Sequence, residues 1–149
     1  MSLFGNMGSR ADQLTPWLSF TISLVYCIAA DGEVDEEEIG YLLTALGGER
    51  IDEDTVGVAN RNREILDRAI AYTNRHTPEE FLETAAAMLN MEQKLCILMN
   101  MADSALSDGI AEDEEQRLIL QFKEAFGVSD DQLAPLMQAL LIKNDKSVF

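Results

Sequence analysis

The sequence is poor in the residues that catalysis and cofactor binding usually draw on. It has one histidine, two cysteines and one tryptophan in 149 residues. Two cysteines do not make a disulfide framework, and no zinc-ligand spacing, Gly-rich phosphate loop or nucleophile elbow occurs. The single histidine, His76, stands beside Thr77-Pro78 with no nucleophile patterned near it, so no enzyme is expected. Positive charge is scarce: 11 Lys and Arg against 27 Asp and Glu leave a net charge of −16. Nucleic acid is excluded as a partner, because phosphate contacts need clustered Lys and Arg, and anionic membrane surfaces are disfavoured for the same reason. A long apolar run is missing as well. The richest, residues 17–30, carries Ser19, Thr21 and Ser23 and falls short of the about 20 residues that span a bilayer, so no direct membrane insertion is expected. Residues 1–10 lack the charged region and apolar run of a secretory leader, and the cysteine usage suits a reducing compartment, so the expected location is cytoplasmic. No stretch alternates with period two, which excludes strands.

What the chain does have is helical periodicity. With 47% hydrophobic residues and the length of one ordinary domain, it has enough apolar material for a core. Residues 1–13 read as a loose tail. Thr15-Pro16 then supplies a cap and a proline at the first helical position. From Trp17 to Ala30 nearly every side is apolar, which places this helix at the centre of the fold. Asp31-Gly32 closes it, and Asp35 with Glu38 forms a capping pair for the next helix, stopped by Gly47-Gly48. Between 52 and 75 two short helices are expected, one starting near Asp52 or Asp54 and one carrying Ile65, Ala69, Ile70 and Tyr72. Thr77-Pro78-Glu79-Glu80 opens a further helix to about Leu89, and Asn90 starts another through Leu106. Residues 112–126 follow, closed by Gly127, and Ser129 caps a last helix to about Ile142. The fold class is all-α with about seven helices.

The strongest pattern is an internal repeat, expected over about 16–47 and 91–127. Asp31-Gly32-Glu33-Val34-Asp35-Glu36-Glu37-Glu38 returns as Asp108-Gly109-Ile110-Ala111-Glu112-Asp113-Glu114-Glu115. The apolar phase before both segments also matches, with Leu18, Ile22 and Val25 opposite Leu95, Met99 and Ala102. Two such hairpins bury their apolar sides against each other, so the two long apolar helices are expected at the centre and the two acidic turns are expected to be related by a pseudo-twofold axis.

Carboxylate oxygens gathered in short turns suit a hard cation. The candidate metal ligands are Asp31, Asp35, Glu38, Asp108, Glu112 and Glu115, and the candidate cofactor is a divalent cation, calcium, magnesium or manganese. The pattern is not an EF-hand, since Glu36 stands where its glycine belongs and Leu42 where its last glutamate does. Acids in a first helical turn also favour the positive end of the helix dipole, which accounts for Asp35 and Glu38 without any metal. Asp31 and Asp108 follow helix C-termini, where the dipole disfavours them, and so carry most of the cation reading. Cys27 and Cys96, both among apolar neighbours, read as buried packing, as do most of the methionines. Arg61, Arg63, Arg68 and Arg75 read as a counterweight to the acidic turns or a patch for an acidic partner.

The paired apolar helix, Asp-Gly and acidic helix resemble the TerB-like family, associated with tellurite resistance, whose fold is shared with the N-terminal region of DjlA co-chaperones. The resemblance rests on the two segments around Asp31-Gly32 and Asp108-Gly109 and covers roughly residues 14–142. It implies an all-helical fold, a role in tellurite or related stress, and an acidic centre suspected of metal binding. On that pattern Asp31, Glu38, Asp108 and Glu115 correspond to the acidic positions, while Glu112 departs from Asp35 in the first copy. The expected function is a non-enzymatic module acting through divalent-metal or protein binding at the acidic cluster. The alternative is a metal-free helical adaptor, similar to a co-chaperone domain, docking a basic partner through its acidic face. Protein partners are expected, and self-association is open.

Overall fold

The computed structural model describes residues 13–30, 38, 40, 42, 55–106 and 113–149; the side chains of 55–61 are outside that description. Six α-helices have both ends within it: α1 (Pro16–Ala29), α2 (Thr55–Arg75), α3 (Pro78–Met88), α4 (Met91–Leu106), α5 (Asp113–Phe126) and α6 (Asp130–Asn144). A 3₁₀ turn, Lys146–Val148, ends the chain. Glu38, Gly40 and Leu42 also have helical backbone, and Leu42 is fully buried. No strand occurs among the described residues, so the chain is all-α.

Helix starts follow the cap chemistry expected of the sequence. Thr15 accepts from the Leu18 N–H at 3.1 Å ahead of Pro16, and Thr77 accepts from the Glu80 N–H at 3.3 Å ahead of Pro78. Asn90 and Gln93 exchange reciprocal bonds of 2.9 Å each at the start of α4. Ser129 and Gln132 form a complete capping box before α6. At the end of α5, Gly127 takes φ +67°, and the Val128 N–H closes onto the Lys123 carbonyl at 3.1 Å. Where two short helices were expected between 52 and 75, the structure has one, beginning at Thr55. Gly57 and the polar run Asn60-Arg61-Asn62-Arg63 interrupt the apolar period without breaking the backbone, since no proline intervenes.

Helix α1 is the axis of the fold. It packs on α2, α4, α3 and α5, and Leu18, Ile22, Leu24, Val25, Cys27 and Ile28 are all buried. Two of its three buried Ser and Thr hydroxyls turn back on their own helix: Thr21 donates to the Trp17 carbonyl at 3.1 Å and Ser23 to the Ser19 carbonyl at 2.7 Å. These internal bonds satisfy two of the helix's buried hydroxyls, while the Ser19 hydroxyl is buried with no hydrogen-bond partner. Helix α4 lies against α1 and is flanked by α5 and α6. A run of aromatic rings ties the layers together. Phe81 of α3, fully buried, lies 5.9 Å from Tyr26 of α1, 6.0 Å from Tyr72 of α2 and 5.9 Å from Phe122 of α5, which meets Phe126 at 5.8 Å. Such offset and edge-on pairs add to the burial of the rings themselves.

Candidate cation centre and its surroundings

Of the six candidate ligands, Asp31, Asp35, Asp108 and Glu112 lie outside the described residues. Glu38 and Glu115 lie within them, both half-buried and both with interaction partners. Among the described residues no three His, Cys, Asp or Glu side chains converge on one point.

The direction of the two central helices can be read from their contacts. Trp17 and Phe20, at the start of α1, line one groove with Gln93, Cys96 and Ile97 in the first half of α4. Cys27, in the last turn of α1, donates through Sγ to the Met101 carbonyl at 3.5 Å, in the second half of α4. The helices therefore run in the same sense, and their C-terminal ends, Ala29 and Leu106, lie at the same end of the pair. Asp31-Gly32 and Asp108-Gly109 follow those two ends in the sequence. Both ends carry the negative pole of a helix dipole.

Glu115 belongs to the other repeat. It lies in the first turn of α5, and its charge is felt at Cys27. Burial, and after it the Glu115 carboxylate, pushes the Cys27 thiol up to about 12. With 1% of its surface exposed, Cys27 keeps its proton at neutral pH. Glu115, the described candidate ligand whose charge acts here, is a hard oxygen donor.

The second cysteine departs from the sequence expectation. Cys96 is exposed, not buried, because α4 is covered on the side of Ile97, Leu98 and Met101 while Glu92 and Cys96 face outward. It sits in the wall of the groove between α1 and α4, about 490 Å³ in volume and lined by Pro16, Trp17, Phe20, Gln93, Ile97 and Asn100. Trp17 and Phe20 stack there at 5.3 Å with planes only 5° apart. The sequence marks α1 as apolar on nearly every side, a pattern that does not show that α4 stops short of covering Trp17 and Phe20. His76 is likewise better held than a lone loop histidine: its ring stacks on Tyr72 at 4.2 Å, Nδ1 lies 3.1 Å from Glu80, and its carbonyl accepts from Tyr26 Oη at 2.6 Å. Of the central arginines, Arg63 pairs with Asp67 at 3.5 Å and Arg75 donates to the Ala71 carbonyl at 3.3 Å, both within α2.

Residues 18–138, most of the chain, match the family model described as tellurite resistance protein TerB. The chain belongs to the TerB family. The family's match spans α1 through most of α6, including both Asp-Gly segments. No curated protein and no solved structure matches this TerB-family chain. Among the described residues no helix is long and apolar enough to cross a membrane.

Proposed function

We propose that this chain is a non-enzymatic TerB-family module of the cytoplasmic response to tellurite or related stress, which binds a divalent cation at the carboxylates of its two acidic turns. Membership of the TerB family supports the stress role. The common direction of α1 and α4, whose C-terminal ends each precede an Asp-Gly segment in the sequence, carries the cation reading. Two helix C-termini at one end of the α1–α4 pair concentrate negative potential there, and the sequence adds Asp31 and Asp108 directly beyond them. Unpaired, such an arrangement is repulsive; a divalent ion with oxygen ligands offsets it. The candidate ligands are all carboxylates, hard oxygen donors, so the ion is calcium, magnesium or manganese.

Titration of calcium, magnesium, manganese and zinc, followed by calorimetry and thermal unfolding, tests this. One of the three hard cations is expected to raise the stability of the wild type by about 2.7 kcal/mol at a hundredfold excess over its Kd. The Asp31→Asn, Asp108→Asn double variant is expected to lose that response. Equal responses from the two proteins overturn the proposal.

A second reading has its own support in the net charge of −16: a metal-free adaptor whose acidic surface docks a basic protein partner. A folded wild type that ignores all four cations favours it.

A further inference from the structure

The groove between α1 and α4 lies well away from the acidic end of α1. Trp17 precedes Cys27 by ten residues, about 15 Å along the helix axis. We propose that this groove is a protein-docking site that takes the apolar face of a basic amphipathic helix.

Three observations lead to that occupant. The floor is apolar and aromatic, with Trp17 44% exposed although it is the chain's one tryptophan and stands at the start of the most buried helix. The Trp17–Phe20 stack forms a flat shelf on one side, with Ile97 and Cys96 on the other. The groove runs between two helices, the setting into which a third helix lays its i, i+3, i+4 and i+7 side chains.

Charge selects among helices. Beyond Cys96 and Asn100 the α4 surface continues into a second hollow against α6, lined by Glu92, Leu95, Met99, Asp103, Leu136, Leu140 and Lys143. Its one cation, Lys143, is held by both Asp103 oxygens at 2.8 and 2.9 Å. Glu92 has no ion pair among the described residues. The Asn100 amide nitrogen is spent on the Cys96 carbonyl at 2.8 Å and on its Sγ at 3.5 Å, so its oxygen remains to accept a bond. The groove itself thus offers acceptors and no charged side chain, and the adjoining hollow adds the Glu92 carboxylate, on a molecule of net charge −16. A second copy, a nucleic acid strand or an anionic lipid surface meets repulsion there, while Lys and Arg flanking an apolar stripe do not. This goes beyond the cation reading and shares with the adaptor reading only the sign of the partner's charge, which follows from the net charge of −16.

The groove carries two reporters, Trp17 and Cys96. The probe is a synthetic peptide of about 18 residues, roughly five helical turns, with leucine on one face and lysine on the other. A leucine and glutamate version, and a flexible lysine and glycine peptide of equal charge, are the comparisons. The leucine and lysine helix is expected to shift Trp17 emission to the blue and to slow thiol labelling of Cys96 by more than about tenfold, with the acidic helix bound at least about tenfold more weakly. Cys96→Ser is expected to keep the Trp17 shift, and Cys96→Lys, folded by circular dichroism, to lose it.

Failure of the groove and failure of the acidic-face reading look different. Equal binding of the lysine and glycine peptide, without protection of Cys96, overturns the groove and leaves the acidic face as the docking surface. No binding of either cationic peptide overturns both. Shielding of Cys96 that grows with protein concentration alone assigns the groove to a second copy and overturns the proposal. The Asp31→Asn, Asp108→Asn variant is expected to keep peptide binding.

Discussion

The Cys27 thiol donates to the Met101 carbonyl at 3.5 Å, pinning the last turn of α1 to the second half of α4. That contact, with the groove shared by Trp17 and Gln93, sets the two central helices in one direction. It also makes Cys27 a probe of the region next to the acidic turns.

The two thiols are expected to behave oppositely. Burial, with Glu115 adding to it, pushes Cys27 up to about 12, whereas Cys96 is exposed. Ellman's reagent at pH 8 is expected to titrate one thiol in the folded chain and a second only in guanidinium chloride. Cys96→Ser removes the fast thiol. Glu115→Gln is expected to leave Cys27 unreactive, because burial is the larger cause; rapid reaction of Cys27 in that variant contradicts the assignment.

The raised Cys27 value also predicts an alkaline limb. Folding keeps the proton that the unfolded chain gives up near pH 8.5. The stabilisation is complete below that pH and is lost as pH rises toward about 12, at about 1.4 kcal/mol per pH unit. Cys27→Ala is expected to flatten this limb relative to wild type in urea unfolding between pH 8 and pH 10, even though the smaller side chain lowers stability throughout.

Asp103 works at the acid end. Partial burial opposes its charge, yet hydrogen bonds from Lys143 and Asn144 and the Lys143 charge hold its carboxyl below the usual range. Its contribution is complete above the unfolded value of about 3.9 and is lost as pH falls through the lower folded value. Lys143 is mostly in water, so the pair is worth on the order of 0.5 kcal/mol. Asp103→Asn is expected to lower stability by about that much at pH 7 and by less at pH 2. An equal loss at both pH values points to packing in place of charge.

Truncating the aromatic hub removes the most stability of any change considered. Phe81 is fully buried and meets rings from α1, α2 and α5, so Phe81→Ala is expected to cost about 3–5 kcal/mol in denaturant unfolding. Ser129→Ala, which removes the capping-box hydroxyl of α6, is expected to cost about 1 kcal/mol. Gly127→Ala, at φ +67° with open space around the added carbon, is expected to cost about 1–2 kcal/mol from backbone conformation alone.

Local chemistry in the sequence was enough to determine the helices. The caps Thr15, Thr77, Asn90 and Ser129 and the closing Gly127 act within a few residues of themselves, so their pattern reads directly as structure. The all-apolar surround of α1 likewise determined its place at the centre. The exception was α2, where an absent apolar period resembled a break that the backbone does not make. The tertiary structure alone decided which apolar residues stay uncovered and which charges meet. Cys27 and Cys96 have similar sequence neighbours, yet one faces α4 and Glu115 while the other opens to solvent. Trp17 and Phe20 share a face with residues that are buried completely. Those outcomes depend on the direction and offset at which α1, α4, α5 and α6 pack, which are long-range properties that no local pattern encodes.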